Sequence, residues 1–375
     1  MIFLLFDEME KDELHYKMAL SKVDGVGPVR YKKLMELFGS AQEVFKQKPK
    51  RLKAIAGISE AKCQVILGFN QFDRIEKEIA FAAKNNIQII DYESPLYPSK
   101  LRQCVDSPII LFYKGNANLN HPKIISVIGT RLSTEYGKRI CEELIEELKP
   151  YDVLITSGLA LGIDAIAHKA SIKANMPTLG VVAHGLDIIY PAANRNLASE
   201  MLLNGGLLTE YYSNAIPDKG NFPSRNRIVA GISDATLIIE TDRKGGSMIT
   251  AEIAYSYNRD VFCVPGRITD AKSSGCNYLL KSLKAQMVTS ADDIAESLGW
   301  TKPKKQKPTQ RQLFIELNTN EHTVVELLKT KEQMHVDEFY NNSPMNSSEL
   351  ASTLLSLEMQ NIIRVLPGKL ISLID

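Results

Sequence analysis

Seven short apolar runs, separated by helical patterns, constrain this chain more than any other feature. They are Ile124–Ile128, Val153–Thr156, Leu179–Ala183, Leu207–Thr209, Thr236–Glu240, Val261–Val264 and Met287–Thr289. Together they are rich in Val and Ile and nearly continuous in apolar character, without a polar residue at every second position. A strand of that kind is stable when both of its faces are covered, as in a parallel sheet flanked by helices. Helical segments between the runs, such as Tyr136–Leu148 and Thr250–Tyr257, supply the covers. The expected fold class is α/β: an extended Rossmann-like, doubly wound parallel sheet over residues 79–300. Two more extended pieces, Ile87–Ile90 and Ile109–Tyr113, are expected to enlarge the sheet or pack beside it.

The regions on either side read differently. Residues 12–75 form helices with short turns, within an expected N-terminal domain of residues 1–78. Two turns, Val23–Pro28 and Ile55–Ser59, place apolar, glycine, apolar and small residues before a helix. This is the form of a helix-hairpin-helix, whose helix N-termini can hold a phosphate. The second turn has Ser59 where glycine is usual, and Lys62 follows it. The other reading is a small bundle whose turns need glycine. Residues 301–311 hold five cations, two prolines and no aliphatic side chain, which is the composition of a linker. Residues 312–375 then read as helices at Val324–Lys329, Val336–Tyr340 and Ser348–Gln360, with an apolar stripe at Leu350, Leu354 and Leu357. Two strands around Pro367-Gly368 complete a winged-helix pattern. Such domains usually read DNA with the third helix. Here Val336–Asn361 contains no Lys or Arg, so a structural or protein-contacting role is expected.

Charge narrows the function. Forty-five Lys and Arg face 44 Asp and Glu in 375 residues, a net charge of +1. Any nucleic-acid site must therefore be a focused patch. The stretch Lys219–Gly231 is such a patch. It contains Lys219, Arg225 and Arg227, with Phe222 and Asn226, and no acid. Cations for phosphates and a flat ring for a base are what a single strand needs. The alternative is an exposed loop leading into a helix.

Three strand-to-helix crossings are rich in small residues: Gly129–Thr134, Ser157–His168 and Thr241–Ser247. Ligands of doubly wound sheets bind at such crossings. Glycine lets backbone N–H groups approach an anion, and Arg131, Arg243 and Lys244 add charge. Together with Lys219–Gly231 they predict one extended anionic site. No P-loop, dinucleotide fingerprint or nucleophile elbow is present. His168 is read as packing, His184 as a strand-end residue near the site, and Asp164, Glu240 and Asp242 as structural. Five cysteines are scattered without a C-x-x-C pair, so reduced thiols in a cytoplasmic protein are expected, with no metal and no cofactor. The apolar start Ile2–Phe6 is too short for a signal peptide, and no run is long enough to span a membrane.

The ordered motifs V-I-G-T-R, S-G-L-A-L-G-I-D-A-I-A-H, G-L-D-I-I-Y-P-A-A-N-R, F-P-S-R-N-R-I-V-A-G, G-G-S-M-I-T-A-E and V-P-G-R-I-T-D-A-K-S-S-G-C-N resemble the DNA-processing protein A (DprA/Smf) family over nearly the whole chain. The resemblance implies a nonenzymatic single-stranded DNA binder, often a homodimer, that protects incoming DNA during natural transformation and loads RecA. It implies a DNA-binding set of Gly129, Thr130, Arg131, Lys219, Phe222, Arg225, Asn226, Arg227, Gly245, Gly246 and Ser247, to which the strand-to-helix crossings add Ser157, Gly158, Gly162 and Lys244. Arg131, Lys219, Arg225 and Arg227 would meet phosphates, for a single-strand salt slope of about −3. Phe222 either stacks on a base or packs in the core beneath the loop.

Two rivals come from other classes. Gly245–Glu252 is similar to the G-G-x-G-T-x-x-E motif of lysine-decarboxylase-like phosphoribohydrolases, with Met248 and Ile249 in place of the second G-T. An interaction scaffold built on the tail would instead lose its function when residues 301–375 are removed, while keeping single-strand binding.

Overall fold

In the computed structural model, the apolar runs become strands of one nine-stranded sheet. The structure describes residues 13–54, 58–302, 317–331, 333–360, 362–366 and 368–373. The chain divides into two compact units, Met1–Pro303 and Lys304–Asp375.

The first unit begins with helices α1 (residues 13–22), α2 (Pro28–Phe38), α3 (Ala41–Phe45), α4 (Pro49–Lys53), α5 (Glu60–Leu67) and α6 (Phe72–Lys84). Gly25 takes φ of 74° in the first hairpin turn, a conformation that glycine adopts without strain. Residues 55–57 of the second turn lie outside the described residues. Ser59 caps α5 by accepting a hydrogen bond from Lys62 N, which accounts for a serine in place of glycine there. Met18, Leu34, Leu52, Ile66 and Ile75 pack in one cluster with Ile110, Phe112 and Tyr212. The helical region and the sheet edge thus share a core, and α6 runs through residue 78 without a break.

The sheet elements follow: β1 (Gln88–Asp91), α7 (Ser99–Arg102), β2 (Ile110–Gly115), β3 (Ile124–Ile128), α8 (Glu135–Leu148), β4 (Leu154–Ser157), α9 (Ile163–Lys173), β5 (Thr178–Val181), α10 (Arg195–Met201), β6 (Gly205–Thr209), α11 (Asn221–Ile232), β7 (Ala235–Ile238), α12 (Gly246–Ser256), β8 (Asp260–Cys263), α13 (Ser274–Lys281), β9 (Gln286–Met287) and α14 (Ala291–Ser297). Strand order is β1-β2-β6-β5-β4-β3-β7-β8-β9. From β6 to β9 all neighbours are parallel. The two early extended pieces are β1 and β2, added antiparallel at one edge. Ile125 and Val127 face a layer that includes Leu144, Ile163 and Ile294. Ile124 and Ile128 face the opposite layer, with Ile228, Ala251 and Leu279. This alternation makes both faces apolar, so helices cover each.

The chain moves outward from β3 to β6, then crosses by α11 to place β7 on the free flank of β3. Helices after β3 and β7 consequently lie on opposite faces. Such a reversal opens a crevice at the carboxyl ends of the strands. All five cysteines are buried and unpaired.

The second unit contains α15 (Thr319–Thr330), β10 (Met334–His335), α16 (Val336–Asn342), α17 (Ser347–Met359), β11 (Ile363–Leu366) and β12 (Leu370–Leu373). Its antiparallel sheet has the order β10-β12-β11. Leu350 and Leu357 of the expected stripe are buried with Val324, Phe339 and Ile371, and Leu354 packs against them. Capping boxes at Asn318/Glu321 and Asn346/Glu349 start α15 and α17. Residues 303–316, most of the expected linker, lie outside the described residues, as does Pro367 of the expected hairpin turn. No helix among the described residues is long and apolar enough to cross a membrane.

Candidate nucleic-acid interface

At the strand reversal, the ends of β3, β4 and β7 and the first turns of α11 enclose a cleft of about 380 Å³. Ten residues of the sequence-derived set line it: Gly129, Thr130, Arg131, Gly158, Phe222, Arg225, Asn226, Gly245, Gly246 and Ser247. Residues far apart in the chain meet here because parallel strands deliver all their carboxyl ends to one edge.

Backbone bonds fix the loops around the cleft. Thr130 N donates to Glu240 O at 2.7 Å, and Ile163 N donates to Thr130 O at 3.2 Å. These two bonds join the crossings after β3, β4 and β7. The Thr130 hydroxyl accepts from Leu132 N at 3.2 Å, which shapes the turn that presents Arg131. Gly162 has φ of 79°, and a Cβ there would lie 2.3 Å from Thr130 O. Glycine is therefore required for the second loop to lie against the first. Glu240 is buried and accepts from Thr134 N at 2.9 Å, and Asp164 accepts from Gly158 N at 3.1 Å and Ala160 N at 3.3 Å. Both carboxylates have the structural roles expected of them. α12 starts at Gly246 without a side-chain cap, so its positive end borders the cleft.

The cations divide into two groups. Arg131, Lys219 and Lys244 are exposed. Among the described residues none of the three side chains has an ion pair or hydrogen bond, although Lys219 and Lys244 sit beyond the residues lining the cleft. Arg225 and Arg227 differ from expectation. Arg225 is 5% exposed. Its guanidinium donates to Gly158 O at 2.6 Å, to Val181 O and to Asn226 Oδ1 at 3.2 Å. Burial pulls it down to about 10, against the opposing charge of Asp164, so it stays charged at neutral pH. Burial likewise pushes the Asp164 carboxyl above its usual range, opposed by Arg225. Arg225 is a fixed charge in the cleft wall, already bonded to the fold. Arg227 leaves the cleft altogether and pairs with Glu210 and Asp106 O. Ser157 also departs from its expected role: its buried hydroxyl donates to Val127 O at 2.6 Å, inside the sheet.

Phe222 belongs to no apolar core cluster and is half-buried in the cleft wall. The Arg131 guanidinium lies 5.5 Å from its ring centroid, a cation–π distance. The Tyr190 ring centroid lies 6.1 Å from that of Phe222, with the rings tilted by 45°. Tyr190, His184 and Ala160 extend the cleft toward a smaller pocket that shares Arg131, Phe222 and Arg225. Tyr190 was missed as a lining residue: it stands in G-L-D-I-I-Y-P, far in sequence from the Lys219–Gly231 stretch that it meets in the fold. His184 is buried and accepts from Tyr190 N at 3.2 Å. His168 is fully buried against Thr178 Oγ1 at 2.7 Å, and burial, with the Arg225 charge, lowers it to about 3. It is neutral and packs, as expected. Glu252, which the phosphoribohydrolase reading needs, lies outside the cleft lining, with both oxygens 2.8 Å from Lys284 Nζ.

Residues 88–299 match the model for DNA recombination-mediator protein A, and residues 17–67 match a SAM-like helix-hairpin-helix tandem. The chain belongs to the DNA recombination-mediator protein A family. Protein Smf of Synechocystis sp. is 35% identical over 301 residues, which is 78% of this chain and 74% of its own length. DNA processing protein DprA of Bacillus subtilis is 38% identical over 228 residues, 60% of this chain and 76% of its own. The solved DNA processing protein A of Streptococcus pneumoniae superposes with TM-score 0.65 at 30% identity, over 75% of this chain and 97% of that one. That of Helicobacter pylori, described for its single-stranded DNA binding mode, gives TM-score 0.53 at 32% identity, over 57% and 97%.

Proposed function

We propose that this protein binds single-stranded DNA at the cleft, without sequence preference and without catalysis, as a DNA-processing protein of natural transformation. The observation that carries the reading is Arg131 with Phe222. An exposed cation without an ion pair among the described residues stands 5.5 Å from a half-buried ring, and the Tyr190 ring lies 6.1 Å from that ring. A phosphate on Arg131 brings its own base within reach of that ring, and stacking of this kind is worth roughly 1–3 kcal/mol per base. Lys219 and Lys244 continue the positive rim, and the uncapped start of α12 adds backbone N–H groups.

The burial of Arg225 and Arg227 alters the expected electrostatics. With Arg131, Lys219 and Lys244 as the free cations, the single-strand salt slope becomes about −2 rather than −3. Anisotropy titrations of a labelled oligothymidine, and of a duplex of equal length, over a range of salt test this. Tight single-strand binding with that slope is expected. A slope near zero, or a duplex bound as well as the single strand, would overturn the reading.

The proposal extends to protection of incoming DNA, loading of RecA and a homodimeric state in the cytoplasm, on the strength of family membership. Stimulation of RecA strand exchange on protein-coated single strands tests the loading step. The domain division proposed is 1–78, 79–300, a basic linker at 301–311 and a winged helix at 312–375. The helix–strand–helix–helix–hairpin order of the second unit supports the last of these. Limited proteolysis is expected to cut first within the linker.

A further inference from the structure

We propose that Arg227, which the sequence presents as a phosphate contact, is instead a positioning residue: paired with Glu210, it closes the excursion between β6 and α11 and aims Phe222 into the cleft. The inference rests on the single-strand reading of that cleft.

Glu210 directly follows β6, and Arg227 lies in the second turn of α11. Between them run the residues that carry Lys219 and Phe222. Arg227 Nη2 pairs with Glu210 Oε2, and Nη1 donates to Asp106 O. The two side chains are only 14% and 18% exposed. Tyr257 OH holds the Asp106 carboxylate in turn. The other Glu210 oxygen is buried with no partner among the described residues, so compensation of its charge falls to Arg227.

Helical geometry gives the pair its leverage. At 3.6 residues per turn, Phe222 and Arg225 share a face of α11, while Arg227 is rotated about 200° from Arg225. Phe222 and Arg225 both line the cleft, and Arg227 does not. An anchor on the far face sets the rotation of the helix, and that rotation decides where the Phe222 ring points. The start of the same excursion is tied down separately: Ser213 N donates to Glu78 Oε1 at 2.8 Å, and Tyr212 OH donates to Met18 O at 3.1 Å.

The test measures oligothymidine affinity and its salt slope in the full-length protein. The variants are Arg227→Lys, Glu210→Gln, the charge-neutral double Glu210→Gln with Arg227→Met, and each with Phe222→Ala. Thermal unfolding of each variant confirms the fold, and the double keeps a folded species because it strands no buried charge. Arg227→Lys and Glu210→Gln are each expected to weaken binding about tenfold through misplacement of the ring. The salt slope should stay at the wild-type value. The double should be no worse than either single change. Phe222→Ala should cost little more once the pair is gone, as coupled positions do. A lysine still neutralises a phosphate but lacks the planar fork that bonds two acceptors. Wild-type affinity for Arg227→Lys, or unchanged affinity for Glu210→Gln, would therefore overturn the proposal. So would a slope reduced by about 0.7 in the double variant, the signature of one lost phosphate contact. If the wild type binds no single strand, the cleft reading itself fails, which the wild-type titration alone reveals.

Discussion

The start of α11 and the length of α17 make an instructive pair. Both helices lay an apolar side on a core: Ile228, Val229 and Ile232 in one, Leu350 and Leu357 in the other. On the side left over they are opposites. α11 is approached by Lys219 and carries Arg225 and Arg227 with no acid, whereas α17 carries Glu349 and Glu358 with no cation. The exposed residues of α17 include Leu355 at 59% and Met359 at 79%. The contrast teaches that a cation in the sequence is not yet a cation available to DNA. Two of the three charges in the α11 stretch are bonded to the fold, which leaves Lys219 exposed there, as Arg131 and Lys244 are in their own loops.

Experiments can break this contrast from either side. The largest effect should come from the tail: Leu350→Ala removes a fully buried side chain and should cost its unit about 2–5 kcal/mol in chemical denaturation. Single-strand affinity should not follow that loss; if it does, α17 contributes to binding after all. Next, Phe222→Ala should weaken oligothymidine binding by roughly 1–3 kcal/mol, with no change in unfolding midpoint. A lowered midpoint with unchanged affinity would return Phe222 to a packing role.

The third prediction concerns pH. His168 is held near 3 in the fold, below its unfolded value of about 6.5. In that window the unfolded chain binds the proton, so stability rises with pH, by at most about 1.4 kcal/mol per unit. His168→Gln should flatten the stability–pH profile of the first unit between those values. The tail has its own window, because hydrogen bonds from Ser356 and Asn318 N hold the Glu321 carboxyl below its usual range. That contribution is present above the ordinary carboxylate pKa and is lost as pH falls through the lowered one. The first unit should therefore begin to weaken at higher pH than the tail. Fourth, Lys219→Gln should reduce the salt slope by about 0.7, while Arg225→Lys should leave it unchanged. Last and smallest, a chain ending at residue 303 should bind oligothymidine as the full chain does. A large loss would place nucleic-acid contacts in the tail and dissolve the contrast.

Much of the fold was legible. Nearly continuous apolar runs such as Ile124–Ile128 are buried on both faces in a helix-covered sheet, and the strands appear where the runs are. The edge pieces Ile87–Ile90 and Ile109–Tyr113 left two readings open, because antiparallel addition depends on the partner they meet at β6. The glycine crossings were legible as a set, since any strand-to-helix turn uses glycine but three such turns at one sheet edge point to a ligand site. Arg225, Arg227 and Ser157 are bonded within the fold, which their sequence context did not reveal, for one common reason. Their side chains find acceptors such as Val181 O, Asp106 O and Val127 O, which belong to other elements and have no signature near them in the chain. Tyr190 was missed in the same way: its distance to Phe222 arises only when the loop after β5 meets the start of α11.

By itself the sequence determined the layered sheet, the edge at which its loops converge and the types of residue found there, because burial patterns and backbone freedom are local properties. Only the tertiary structure decided which charges stay free. Arg131 reaches solvent beside Phe222, while Arg225 and Arg227, five residues or fewer beyond that ring, turn into the fold. The physical reason is that a guanidinium left in water and one bonded to buried acceptors are the same residue in the sequence, and the difference lies in what the folded chain brings to it.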